Sequence, residues 1–137
     1  KIEVLCSLGL NSIMTVINFA AVGGIPYDKS YKVEAHNGRL LNITLQNLLP
    51  GETLLIKGEF HLMGGIISSN LKHVIIQLDG ALIFSSNVKH WPYFHKENDG
   101  HHTVLECIHF ITPNNITLTS TLGASGGILN GQGKAWW

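Results

Sequence analysis

After Gly51 the chain breaks into short apolar runs, each closed by a pair of turn-forming residues, and this cadence limits what it can fold into. The runs are "TLLI" from Thr53, "FHLM" from Phe60, "HVIIQL" from His73, "ALIF" from Ala81, "CIHFI" from Cys107, "NITLT" from Asn115 and "GIL" from Gly127. Lys57-Gly58, Gly64-Gly65, Asp79-Gly80, Asn114-Asn115 and Asn130-Gly131 separate them. No second helical stretch lies between these strands. A doubly wound α/β sheet needs a crossover helix after nearly every strand, so that architecture is excluded. An antiparallel sandwich and a parallel coil of stacked strands remain.

One helix is predicted ahead of the strands. In "HNGRLLNITLQNLLPG", Leu41, Leu45, Leu48 and Leu49 fall at i, i+4, i+7 and i+8, which builds a single apolar stripe. Asn37 is read as its N-cap and Pro50-Gly51 as its stop. An internal echo favours the coil over the sandwich: "SSNLKHVIIQLDG" and "TPNNITLTSTLG" share an Asn turn, an alternating β-branched strand and a closing Gly turn. Strands repeating at such a pitch bury their inward face by stacking on the next turn of the coil. The expectation is an all-β parallel β-helix, a single-stranded solenoid, with the short helix over Asn37 to Leu49 capping its open first edge.

Composition removes several function classes. The 137 residues are 45% apolar with nine basic and nine acidic side chains, so there is no basic stripe for nucleic acid. Eight histidines would turn the surface positive in mildly acidic surroundings and draw in a polyanion. Cys6 and Cys107 define no disulfide framework and read as inert thiols. Between Val4 and Tyr27 there is no charged residue, but Ser7, Asn11, Ser12, Thr15 and Asn18 interrupt the stretch. Residues 1–17 are therefore read as a signal-peptide remnant or a first strand, with a membrane anchor as the least favoured alternative. Residues 18–137 are read as the N-terminal part of one β-helix domain. The Lys1 start and the Trp136-Trp137 end look cut.

The densest chemistry lies in "NVKHWPYFHKENDGHH", where His90, His95, His101 and His102 join Glu97 and Asp99 within thirteen residues. Zinc could take such ligands, but no pair stands at helical or Cys-x-x-Cys spacing, so no metal site is expected. Trp91, Tyr93 and Phe94 either stack on sugar faces or pin the loop to the coil. Asp79 is read as a turn residue, and Glu52 and Glu59 as solvated. Asn42-Ile43-Thr44 and Asn115-Ile116-Thr117 are sequons, which makes Asn42 and Asn115 candidate glycosylation acceptors in a secreted eukaryotic protein.

The segment "GILNGQGKAWW" resembles glycoside hydrolase family 28, the polygalacturonases, whose members show "G-x-I-D-G-x-G-x-x-W-W", with Asn130 here at the Asp position. "NFAAVGG" is similar to the family's opening "F-G-A-V-G-D-G", "LLPGETLLIKGEFHLMGGI" to its "P-G-x-x-x-x-P-x-G-x-Y-x-x-x-x-I", and "NLKHVIIQLDGALIF" to its "S-N-V-T-L-x-L-D-G-x-L". Of the family's "D-G-x-x-D-D" stretch only Asp28 has a counterpart. The resemblance implies a right-handed β-helix, secreted to the cell wall, monomeric, needing no cofactor and acting on pectic polysaccharide. It implies inverting hydrolysis by two carboxyl groups roughly 6.5–9.5 Å apart. The family's "N-T-D", "D-D", "G-H-G" and "R-I-K" segments are absent, so no catalytic residue is assigned and the acids are expected beyond Trp137. Two rivals stand beside this enzyme portion: a non-catalytic β-helix module for carbohydrate binding or adhesion, and a membrane-anchored surface protein.

Overall fold

The computed structural model describes residues 2–5, 13–95 and 102–136. In chain order its strands are β1 (Ile2–Leu5), β2 (Ile13–Asn18), β3 (Thr53–Ile56), β4 (Glu59–Leu62), β5 (Ile66–Ser69), β6 (Lys72–Leu78) and β7 (Ala81–Phe84). They continue as β8 (Tyr93–His95), β9 (His102–Val104), β10 (Ile108–Ile111), β11 (Asn114–Thr119) and β12 (Ile128–Asn130). Helix α1 (Tyr31–Gln46) lies between β2 and β3, and a 3-10 turn covers Val88–His90.

The all-β solenoid expectation is corrected by these elements. The chain is mixed α/β: a 16-residue helix enters the core, and the strands divide among four small sheets of both senses. β1 runs antiparallel to β2, and β8 antiparallel to β9, which a coil wound in one sense does not allow. The remaining ladders are parallel. The largest sheet has the order β1-β2-β3-β6-β11, the second β12-β7-β4, the third β10-β5. In the first, Ile17 lies beside Leu54, Leu54 beside Ile76 and Ile76 beside Leu118, so one apolar row crosses four strands.

The helix also differs from its predicted limits. Ser30, not Asn37, is the N-cap: its hydroxyl accepts the Val33 N–H at 3.4 Å, and Asp28 Oδ1 in turn accepts the Ser30 N–H at 2.8 Å. The inward stripe is Val33, Asn37, Leu41 and Leu45, one residue per turn on a single face. Leu48 is buried beyond the helix end, whereas Leu49 is exposed. Asn37 is fully buried in mid-helix because three backbone groups need it. Its Oδ1 accepts the Ile25 N–H at 2.9 Å, and its Nδ2 donates to Ile25 O at 2.9 Å and His61 O at 2.8 Å.

Close approach explains two glycines. A Cβ on Gly38 would stand 2.5 Å from the Met63 carbonyl oxygen, so this face of α1 can rest on the chain after β4 only without a side chain. A Cβ on Gly80 would collide with the Gly58 backbone. Around Leu41 and Leu45 the core gathers Phe19 and Phe60, packed edge to face at 4.9 Å between ring centres. Each such side chain contributes roughly 1.5–3 kcal/mol on burial.

The echo seen in the sequence becomes a pairing. β10 lies on β5 and β11 on β6, with Ile66 beside Ile108 and Lys72 beside Asn114. At the corner between these strands Asn70, His73, Thr112 and Asn115 all take positive φ, between 47° and 59°. Thr112 Oγ1 donates to Asn70 Oδ1 at 2.7 Å, and Asn115 Nδ2 meets His73 Nδ1 at 2.9 Å, each across 42 residues. The paired side chains offset the cost of left-handed backbone at non-glycine residues.

Candidate functional site

The carboxylates come first because hydrolysis would need them. Asp79 follows β6 and reaches to the next layer. Its Oδ1 accepts from the Thr121 N–H at 2.7 Å and from Ser120 Oγ at 3.1 Å; its Oδ2 accepts from Thr121 Oγ1 at 2.7 Å and Gln77 Nε2 at 2.6 Å. These donors, the Thr121 amide foremost, hold its carboxyl down at about 2. Asp79 therefore does structural work, across layers to Ser120 and Thr121 and not within its own turn as expected from the sequence. Asp28 is lowered by the backbone and hydroxyl of Ser30, and Glu106 chiefly by its own backbone amide and then by His109.

Glu52, read as solvated, is buried instead; its Oε2 accepts the Leu49 N–H at 2.9 Å and ties the helix exit to β3. Glu59 is half-exposed and its Oε1 lies 2.7 Å from Nε2 of the buried His61. Sequence reasoning passed over Glu34. It is buried on α1, and its Oε2 accepts from Ser85 Oγ at 2.6 Å. The Ser85 hydroxyl oxygen accepts the Asn87 N–H at 3.1 Å, so α1 is bound to the start of the 3-10 turn.

Of the loop residues, Glu97, Asp99 and His101 lie outside the described residues, as do Cys6 and Trp137. Among the described residues no group of three metal-ligating side chains assembles. Trp91 is core: its Nε1 donates to Leu105 O at 2.7 Å and its ring meets Trp136 edge to face at 5.0 Å. Tyr93 and Phe94 stay exposed. Cys107 is a free, half-buried thiol, and burial pushes its pKa up.

The two candidate acceptors sit in different surroundings. Asn115 is exposed on β11, engaged with His73. Asn42 is half-buried, and its Oδ1 accepts the Ile67 N–H from β5 at 3.0 Å.

That contact forms one side of a groove the sequence did not reveal. A cavity of about 270 Å³ runs between α1 and the Met63–Ile66 segment, closed at one end by His90 and Pro92. Tyr31, Arg39 and Asn42 line it from the helix. The Tyr31 and His90 rings face each other at 4.5 Å, tilted by 43°. The sequence signal available was the spacing of Tyr31, Ala35, Gly38, Arg39 and Asn42, one helix face at three- and four-residue steps.

The comparisons bring no relative. No family model, curated protein or solved structure matches the chain.

Proposed function

We propose that the chain belongs to a secreted, pectin-acting glycoside hydrolase of polygalacturonase type, and that within it these residues form scaffold and polysaccharide-holding surface rather than the hydrolytic centre. Support comes from one corner. Gly58, Gly80 and Gly127, each from a segment that resembles the family, stack there through Ala81 N–H to Gly58 O at 2.8 Å and Ile128 N–H to Gly80 O at 3.0 Å. A turn repeated in three layers is the use to which such glycine-punctuated motifs are suited.

The chemistry of the acids argues for holding over cutting. A general acid in inverting hydrolysis needs a carboxyl whose pKa is raised so that it stays protonated. Asp28, Asp79 and Glu106 are all lowered. This also favours the second reading, a carbohydrate-binding module that acts without hydrolysis.

Affinity electrophoresis of the 137-residue chain through gels containing polygalacturonate tests both. Retardation without release of reducing ends is the expected result. Release of reducing ends by this chain alone would refute the division of labour, and unretarded migration would remove pectin as the target.

A further inference from the structure

We infer that the groove between α1 and the Val88–His90 turn is a subsite for one anionic sugar unit, a carboxylated hexose ring. The inference rests on the polysaccharide reading above for its choice of sugar. The groove itself stands on three observations.

The first is size. At about 270 Å³ it lies just under the roughly 300–1,000 Å³ usual for ligand pockets, which suits a single ring and excludes a long segment. The second is charge. Arg39 is exposed, lines the groove, and among the described residues pairs with no carboxylate. The nearest acid on the helix, Glu34, is buried and committed to Ser85. A guanidinium without a protein partner is matched by the planar fork of a carboxylate.

The third is preorganisation. Asn42 Oδ1 is held by Ile67, which leaves its Nδ2 as a fixed donor in the lining. The Glu34–Ser85–Asn87 chain anchors the turn that carries His90. Gly64 and Gly65 have no side chain because Trp91 and Pro92 occupy the space where a Cβ would stand, and so the far wall is packed in place. Tyr31, half-exposed and packed at a tilt on His90, contributes aromatic surface to the lining. The Arg39 and Asn42 donors thus share one lining that is already held by packing, which reduces the ordering cost of binding.

Titration followed by amide and side-chain NMR separates the outcomes. The probes are trigalacturonate, a glucuronate-containing oligosaccharide and neutral galactotriose, each added to the 137-residue chain. Trigalacturonate is expected to shift Arg39 Nε–H, Asn42 Nδ2–H and the Gly64 and Gly65 amides, and galactotriose is not. Arg39→Ala should weaken binding roughly tenfold or more, since a charged hydrogen bond is lost. Tyr31→Ala should also weaken it, and Arg39→Lys should recover part. Both residues are exposed, so thermal unfolding should be unchanged.

Trigalacturonate shifts confined to another surface would overturn the groove and leave the pectin reading intact. Groove shifts with the glucuronate probe alone would support the anionic subsite while removing pectin. No groove shift with either anionic probe, or Arg39→Ala binding as tightly as the parent, would overturn the subsite.

Discussion

Asn37 is fully buried, and its side chain ties α1 to the Ile25 segment and to β4. Three backbone groups have it as partner, two on the exposed Ile25 and one, the His61 carbonyl, buried. At roughly 1–3 kcal/mol for a buried unpaired group, loss of the His61 contact alone makes Asn37→Ala cost roughly 1–3 kcal/mol in urea unfolding. A loss below about 0.5 kcal/mol would show that water enters and replaces the amide. Its role was half legible: the spacing Asn37, Leu41, Leu45 puts an amide on the apolar face, but capping preference drew it to the helix start. Asp79 is the second residue whose role is testable. Its folded pKa of about 2 lies below its ordinary 3.8, so its contribution is complete above pH 3.8 and is lost as the pH falls towards 2. Asp79→Asn should therefore differ most from the parent above pH 4, and the two acid-unfolding curves should converge near pH 2. Parallel curves over that range would mean that the Thr121 and Ser120 contacts do not depend on its charge.

At the scale of elements, α1 shows how packing overrides propensity. Gly38 sits mid-helix, where alanine is favoured by roughly 1 kcal/mol in an exposed site. Here the added Cβ would meet the Met63 carbonyl at 2.5 Å, and that oxygen belongs to backbone that cannot swing aside. Gly38→Ala is therefore expected to destabilise by roughly 1–3 kcal/mol, the range for overpacking, and calorimetry should show a lower Tm. A raised Tm would mean that α1 can lift off the sheet at little cost. Of the expected stripe, Leu41 and Leu45 are buried on the helix, Leu48 is buried past its end and Leu49 is exposed. The first turns of the helix were not legible, because in "YKVEAH" Val33 is the one apolar side chain that turns inward, too little to set a stripe. The groove was equally hidden, since Tyr31 and His90 meet only once Glu34 and Ser85 have joined two elements 51 residues apart.

Across the molecule the parallel ladders were legible and the uniform coil was not. Alternating β-branched runs with Asn and Gly corners specify which residues pair, as the register of β6 with β11 shows. They say nothing about whether the chain also turns back, and the antiparallel pairs β1-β2 and β8-β9 depend on contacts no periodicity encodes. The ladders end at β10, β11 and β12, each the outermost strand of its sheet. Leu118, Ile128 and Leu129 are half-exposed or more on this side, over an apolar cavity of about 290 Å³ walled by Leu78, Phe84 and Phe110. Outer strands with unpaired amides beside apolar side chains recruit further strands. The 137-residue chain should accordingly associate as its concentration rises, detectable by light scattering, and bind a hydrophobic dye at this edge. Leu118→Lys should suppress both, with a small drop in Tm from the lost contact beside Ile76, because a cation at a half-exposed edge position repels a second copy. Association undiminished in Leu118→Lys would place the contact elsewhere, and a strictly monomeric parent at high concentration would mean that the outer strands are protected by their own twist.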